Sequence, residues 1–165
     1  MSDDDKIKDL EKQIRLELDL EKSLPKTPPL KFKTPSDLVT FLSRLPIQRT
    51  EALTSLSPFL RRFRTNTNLE LEDVATAVNI PASILIQFES SDFLPWTLPA
   101  SAMVALASAY RIHIEAIEFL THNSYRIARL SKAIPNPDSA RTSMAKWLQD
   151  VRSQMEARAE AALLN

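Results

Sequence analysis

Glycine and cysteine are both absent from the 165 residues of this chain. Without glycine there is no Gly-rich loop to wrap a phosphate, which excludes P-loop and dinucleotide-binding motifs. Tight turns must instead be made with Asn, Asp, Ser or Pro. Without cysteine there is no disulfide framework, no thiolate zinc site and no cysteine nucleophile. These two absences remove several large classes of enzyme and metal-binding module.

Long apolar segments are missing as well. The longest mainly apolar run, SAMVALASAY at 101–110, is too short to cross a bilayer. The first residues, MSDDDK, do not have the pattern of a signal peptide. The sequence therefore predicts a soluble, cytoplasmic protein with no membrane partner.

Charge is balanced in total but unevenly distributed. The 21 basic and 21 acidic side chains cancel, while the local balance is −2 over 1–30, +2 over 31–56, −3 over 57–120 and +3 over 121–165. A general positive field, the usual footprint of a nucleic-acid binder, is therefore absent. The positive charge lies on either side of an acidic centre.

Helical periodicity dominates the chain, and there is no sustained alternation typical of strands. The first predicted helix covers 3–23 and begins with three acids, which suit the positive end of the helix dipole. Its apolar stripe (Ile7, Leu10, Ile14 and Leu18) is wide enough to need a partner, either the protein body or a second copy of the chain. A loosely attached arm is the alternative.

The rest of the chain divides into four further regions by composition. Four prolines make 25–35 a stiff, extended linker. A lead-in of short helices follows at 36–56, and then a block at 57–120 that Ser57 and Pro58 begin as cap and first helical residue. An extension at 121–165 closes the chain. The predicted helices within these regions are 36–45, 47–56, 58–67, 70–78, 81–89, 98–110, 113–120, 121–133 and a long helix that Asp138 or Ser139 caps and that runs to about 164.

A set of spaced residues between 60 and 117 carries the strongest functional signal. It comprises Leu60, Arg61 and Arg64; then Leu69, Glu72, Val74 and Ala75; the turn Val78-Asn79-Ile80-Pro81; Leu85, Phe88 and Glu89; and Pro95, Ala107, Tyr110, Ile112, Ile114, Glu115 and Ile117. In this pattern the chain resembles the Cro/CI/Xre (lambda-repressor-like) helix-turn-helix family, over a little more than a third of its length.

Physical chemistry supports the same spacing independently. Ala75 is small at the point where two short helices must approach closely. Asn79 is the best residue for a left-handed turn in a chain without glycine. Apolar residues close the pocket between the two helices: Val74, Val78, Ile80, Leu85 and Phe88. The alternative is a five-helix bundle with ordinary amphipathic spacing.

The resemblance implies an all-α fold with a five-helix lambda-repressor-like core, an N-terminal helical arm and a long C-terminal helix. In this family the second helix of the motif enters the major groove, so the implied function is a non-enzymatic, homodimeric DNA-binding regulator of transcription. Ser83 and Gln87 would read base edges, and Ile84 and Ile86 would contact thymine methyl groups. The DNA backbone would be held by Arg61, Arg62 and Arg64.

Two departures from the family pattern favour another use of the same fold. The predicted reading helix has no Lys or Arg, and the segment 90–96 has one acid and three large apolar groups where the family often has cations. Since phosphate contacts supply most non-specific affinity, this surface predicts weak DNA binding by itself. DNA binding then depends on dimerisation and on basic flanks, namely Lys31, Lys33, Arg126, Arg129 and Lys132.

The alternative is a protein-interaction adaptor. Its binding surface would be made by Ile84, Ile86, Phe93, Leu94 and Trp96. These apolar groups are typical of a protein interface, unless the chain's own arm or C-terminal helix covers them. The predicted partners are therefore duplex DNA, and a second copy or another protein bound through the N-terminal or C-terminal helix.

Catalytic and metal sites find no support in the sequence. His113 and His122 are nine positions apart, so they form no i, i+4 zinc pair, and no cysteine completes a site. No spacing suggests a nucleophile with its base and orienting group. The sequence predicts no enzyme, cofactor, metal or small-molecule ligand.

Overall fold

A computed structural model describes residues 3–23, 29–45 and 54–164, with the backbone alone for 15–23. Its elements are α1 (Asp3–Ser23), α2 (Pro35–Ser43), α3 (Leu56–Asn66), α4 (Leu71–Val78), α5 (Ala82–Glu89), a 3-10 turn (Pro95–Thr97), α6 (Ala100–Tyr110), α7 (Ile114–Leu130) and α8 (Pro137–Leu164). All regular elements in these ranges are helical, which confirms the all-α class. The helix predicted at 47–56 lies outside the described residues up to 53, and 54–55 are not helical. Across the described ranges no helix has the length and apolar character needed to span a membrane.

Local side-chain chemistry explains several of the helix ends. Thr34 precedes α2, and its hydroxyl accepts a hydrogen bond from the Asp37 backbone N–H at 3.2 Å, with Pro35 in the first turn. Asn79 ends α4 in the left-handed conformation, with φ 59° and ψ 47°. The left-handed conformation at Asn79 confirms the prediction from its residue type, and Thr34 is an ordinary capping residue.

Two predicted helix starts need correction. α3 begins at Leu56 after Ser55, and the Ser57 hydroxyl instead donates to the Ser90 carbonyl at 3.2 Å. α8 begins at Pro137, and the side-chain oxygen of Asn136 accepts from the Ser139 backbone N–H at 3.2 Å. In both places the helix begins two or three residues closer to the N-terminus than predicted. Proline is well tolerated in a first helical turn, so Pro137 can be the first residue of α8.

The two helices predicted at 113–120 and 121–133 form one helix, α7. No proline lies between 114 and 130, so the helical hydrogen bonds continue past the junction of Leu120 and Thr121. Thr121 and Asn123 are buried, and the Asn123 side chain donates to the Thr54 carbonyl at 2.8 Å. This bond, together with the Leu56 N–H bound to the Ser124 hydroxyl at 3.1 Å, fixes the start of α3 against the middle of α7.

Among the residues that the structure describes, the backbone is left-handed at Asn68, Asn79, Arg111 and Lys132. Each follows the end of a helix, where such a conformation redirects the chain. A side chain in this region costs about 1–2 kcal/mol, and Asn tolerates it better than Arg or Lys does. Arg111 gains a compensating role, because its guanidinium donates to the Leu45 carbonyl at 2.8 Å and the Ser43 carbonyl at 3.2 Å. The end of α6 is thereby tied to the end of α2.

One continuous hydrophobic core runs from α2 to α8. α3 packs against α5 and α7, α4 against α2 and α5, and α8 against α6 and α7. Its fully buried side chains include Leu38, Leu60, Leu85, Met103, Leu106, Ile117 and Leu120. Burial of each such side chain stabilises the fold by about 1.5–3 kcal/mol. α2 and the first half of α8 therefore share the core of the block at 57–120.

α8 is buried along its first half only. The buried side chains Met144, Trp147, Leu148 and Val151 repeat at three- and four-residue spacing, and the Trp147 indole N–H donates to the Leu98 carbonyl at 2.8 Å. Beyond Met155 the side chains of α8 are exposed, with Leu163 at 87%. The body of the protein thus ends near the middle of this helix.

Candidate nucleic-acid interface

α4 and α5 are two short helices joined by a three-residue turn. The Pro81 carbonyl accepts hydrogen bonds from the backbone N–H groups of Ile84 (3.0 Å) and Leu85 (3.2 Å), which begins α5. Leu85 and Phe88 point into the core, opposite the buried Val74 and Ala75 of α4. Because α5 also packs against α3, its outer face has a fixed direction relative to the body.

The outer face of α5 carries only uncharged side chains. Ser83 is exposed, Ile86 is 53% exposed and Gln87 is half-buried. Ile84 is also half-buried and packs against the core. Of the four residues predicted to read base edges or methyl groups, Ser83 and Ile86 are the most accessible. Ile84 is the one that packs against the core.

A buried ion pair joins α3 to the end of α5. The Arg64 guanidinium lies 2.8 Å (Nε) from Oε2 and 2.8 Å (Nη2) from Oε1 of Glu89, and a third N–H donates to the Leu69 carbonyl at 3.0 Å. The two side chains are 20% and 5% exposed. With its donors turned inward, Arg64 anchors the fold in this structure, which corrects its predicted place on the DNA-facing surface.

Tyr110 packs beside this ion pair. Its ring stacks on Phe63 with centroids 4.1 Å apart, and its hydroxyl is buried without a hydrogen-bond partner among the described residues. Burial, and secondarily the negative charge of Glu89, raise the pKa of Tyr110 well above its ordinary value. The phenol therefore stays neutral, and the charge of the Arg64–Glu89 pair is balanced without it.

The other two arginines of α3 also turn toward neighbouring protein groups, one to a backbone carbonyl and one to a side-chain hydroxyl. An Arg61 guanidinium N–H lies 3.5 Å from the Glu89 carbonyl, and an Arg62 guanidinium N–H lies 3.4 Å from the Thr54 hydroxyl. Both side chains are half-buried. The spacing of the arginines along α3 predicted a cationic surface. That spacing does not show that the end of α5 and residue 54 lie close enough to bind the two guanidinium groups.

The loop after α5 divides into a buried and an exposed part. Trp96 is 8% exposed and its ring lies 6.1 Å from that of Tyr125, whereas Phe93 is 42% exposed and Leu94 is half-buried. The prediction that Trp96 belongs to an exposed protein-binding set is therefore wrong. The 3-10 turn that carries Trp96 packs under α8, so the chain itself covers this indole.

The surroundings of α4 and α5 are neutral to acidic. Between Arg64 and Arg111 the sequence has no Lys or Arg, and it has five acids: Glu70, Glu72, Asp73, Glu89 and Asp92. Lys31 comes close to this region, but its ammonium lies 3.0 Å from the Glu70 carboxylate. That hydrogen bond, with the charge of Glu70, raises the Lys31 pKa. Lys31 therefore neutralises an acid of α4 rather than adding a net positive charge.

Two clefts border α7. One, of about 680 Å³, lies between α1 and α7, with Asp3, Lys6, Asp9 and Leu10 on one wall and Tyr125, Arg126, Arg129 and Leu130 on the other. The second, of about 500 Å³, has a mainly apolar and serine-rich lining. It lies between residues 91–95, the start of α3 and the C-terminal part of α7, and Ile14 of α1 forms one edge. The C-terminal end of α7 is thus next to the loop that follows α5.

Neither histidine belongs to a metal site in the described part of the chain. His113 immediately precedes α7 without a capping side-chain bond, and His122 is exposed. Within the described ranges, no three His, Asp or Glu side chains form a group able to hold a metal ion.

Comparison of the chain with protein-family models, with curated proteins and with solved structures gave no match in any of the three. The functional interpretation therefore depends on the residues and contacts described above.

Proposed function

We propose that the chain is a DNA-binding regulator of the Cro/CI/Xre type, with a five-helix helix-turn-helix core made by α3 to α7. The observation that carries this proposal is the fixed pair α4–α5. Its turn uses a left-handed Asn79, and the Arg64–Glu89 ion pair locks its second helix to α3. Arg64 and Glu89 are also two of the positions on which the resemblance depends, so their direct contact supports it.

In this proposal α5 is the helix that enters the major groove. Ser83 and Gln87 supply hydrogen bonds to base edges, and Ile86 supplies an apolar contact to a thymine methyl group. Ile84 mainly positions the helix, because it packs against the core. A second copy of the chain would double these few contacts, as half-site recognition does in this class of regulator. Such a protein would act in the cytoplasm.

Replacing Gln87 tests the base-reading role directly. In fluorescence anisotropy with genomic fragments, the wild type should prefer a subset of fragments over a random duplex. Gln87→Ala should weaken that preference by about 1–3 kcal/mol, since a bidentate side chain to a base is worth this much. Gln149→Ala, on the exposed face of α8, is the matched control. Absence of any DNA binding at low salt would contradict the proposed function.

A second candidate function, a protein-interaction adaptor, is favoured by one specific observation. Ile86 and Phe93 are 53% and 42% exposed, and the span between Arg64 and Arg111 that contains them lacks any cation. Exposed apolar groups without nearby positive charge suit a protein surface better than a phosphate backbone. In this alternative the same fold presents α5 to a protein.

Ile86→Ser tests the adaptor hypothesis. Because Ile86 is largely exposed, the monomer should keep its stability within about 0.5 kcal/mol. Any assembly made through α5 should weaken by about 1–3 kcal/mol, measured by sedimentation equilibrium. Ile84→Ser is the comparison, since it should destabilise the monomer itself. Unchanged assembly in Ile86→Ser would count against the adaptor.

A further inference from the structure

The cations expected to hold DNA are engaged elsewhere in the fold. Arg64 is in a buried pair with Glu89, and Lys31 is paired with Glu70. α5 itself has no basic residue. A DNA-binding protein of this shape still needs phosphate contacts, because they supply most of the non-specific affinity and fix its orientation on the duplex. Those contacts must come from another part of the surface.

The C-terminal end of α7 offers the best-placed positive charge. Arg126, Arg129 and Lys132 are exposed there, and the first two make no ion pair with any residue that the structure describes. Arg141, at the start of α8, lies 5.7 Å above the ring of Tyr125 and adds a fourth cation beside them. They are four of the seven basic side chains in 121–165, a region with four acids.

The same end of α7 is close to the loop that follows the proposed reading helix. Ile127, Ala128 and Ser131 line one cleft together with residues 91–95, the loop that directly follows α5. Arg126 and Arg129 alternate with these residues along α7 and line the neighbouring cleft. The two arginines and the loop after α5 therefore lie against different faces of α7, so a duplex seated on α5 would have to extend across α7 to reach them.

α1 places negative charge opposite these arginines. Asp3 and Asp9, with Lys6 between them, form the wall of the 680 Å³ cleft that faces Arg126 and Arg129. Of the α1 side chains that the structure describes, those of 3–14, only Leu10 is buried. This part of α1 therefore brings the carboxylates of Asp3 and Asp9, with the Lys6 ammonium between them, to the cleft where phosphates would lie.

We propose that Arg126 and Arg129 form the phosphate-binding surface of this protein, and that α1 is an acidic cover that competes with DNA for it. The inference rests on the proposed DNA-binding function and adds where the backbone is held and what regulates access. Phosphates and the α1 carboxylates are alternative anions near the same two guanidinium groups, although neither Asp3 nor Asp9 forms an ion pair with them in the structure. In this proposal DNA and α1 cannot occupy the cleft at the same time.

Anisotropy of the full-length protein with a random-sequence duplex, from about 0.05 M to about 0.2 M salt, tests both parts. Arg126→Gln with Arg129→Gln should weaken binding at low salt about tenfold or more and lower the log–log salt slope by about 2, since each lost phosphate contact removes about 0.9. Arg158→Gln with Lys146→Gln, two exposed cations on α8, is the matched control and should change the slope less.

The acidic cover is tested by the opposite change. Asp3→Asn with Asp9→Asn should tighten binding several-fold at low salt, and the gain should fade as salt rises. Asp4→Asn with Glu11→Gln removes the same charge from exposed positions on α1 that do not line the cleft. Equal tightening by both double variants would overturn the cover, because general repulsion would then explain it.

The outcomes separate this inference from the proposed function. If the wild type binds DNA and the Arg126/Arg129 variant binds with the same affinity and salt slope, the phosphate site is overturned while DNA binding stands. If no variant binds at low salt, including the one with Asp3 and Asp9 neutralised, both are overturned. Circular dichroism of each variant confirms that the helical fold is kept.

Discussion

Glu89→Gln is expected to lower the free energy of unfolding by about 3 kcal/mol, because it leaves the charge of Arg64 buried without its partner. The substitution keeps the size and shape of the side chain, so lost packing contributes little. The Glu89 side chain is 5% exposed and receives hydrogen bonds from two guanidinium nitrogens of Arg64. Water cannot easily replace those bonds.

A surface pair in the same protein provides the control for this prediction. Arg152 and Glu118 also form an ion pair, but their side chains are 40% and 32% exposed. Glu118→Gln should therefore cost no more than about 1 kcal/mol. Urea unfolding followed by tryptophan fluorescence measures both. Equal losses in the two variants would show that the Arg64–Glu89 pair is as well solvated as the surface pair.

Apolar replacement of the buried pair makes the test sharper. Arg64→Met combined with Glu89→Leu removes both charges at once, so no unpaired group remains inside. The double variant should be more stable than Glu89→Gln despite carrying two substitutions. The large loss of unfolding free energy in Glu89→Gln would then be assigned to the unpaired guanidinium of Arg64 rather than to a change of residue at position 89 as such.

Trp147→Ala is expected to have a comparable effect, a loss of about 4 kcal/mol of unfolding free energy. Trp147 is 5% exposed and lies where α8 covers the 3-10 turn and α6. Its removal leaves a cavity between these elements, and it leaves the Leu98 carbonyl without its 2.8 Å hydrogen bond. Thermal unfolding followed by circular dichroism measures the loss.

Two further substitutions on α8 divide the effect of Trp147 into its parts. Trp147→Phe keeps most of the apolar volume but loses the indole N–H, so a smaller loss of about 1–3 kcal/mol is expected from the unpaired carbonyl. Leu163→Ala, at a position 87% exposed on the same helix, should change stability by less than about 0.5 kcal/mol. A loss in Trp147→Ala as small as in Leu163→Ala would mean that α8 does not seal the core.

The helices were largely predictable because each is encoded by local chemistry. The three- and four-residue spacing of apolar groups in α8, the Thr34-Pro35 start of α2 and the Asn79 end of α4 all depend on near neighbours in the chain. The helix boundary predicted between Leu120 and Thr121 failed for a related reason. The composition changes at this point, but no residue there interrupts the backbone hydrogen bonds of the helix.

The candidate site was less predictable because it depends on contacts between distant residues. Arg64 was correctly placed in the motif, but its partner Glu89 is 25 positions away and its turn inward follows from how α3 meets α5. Trp96 was predicted as an exposed group because its cover, α8, is some 40 residues further along. The cleft between α1 and α7 joins residues more than a hundred positions apart.

The left-handed turns made without glycine also have a consequence for the unfolded chain. Glycine samples more backbone conformations than any other residue, and proline fewer. A chain with no glycine and 11 prolines therefore has an unfolded ensemble with unusually little conformational entropy to lose on folding. This restriction offsets the native-state strain at Arg111 and Lys132. The fold is thus stabilised in part because the unfolded chain has fewer backbone conformations available to it.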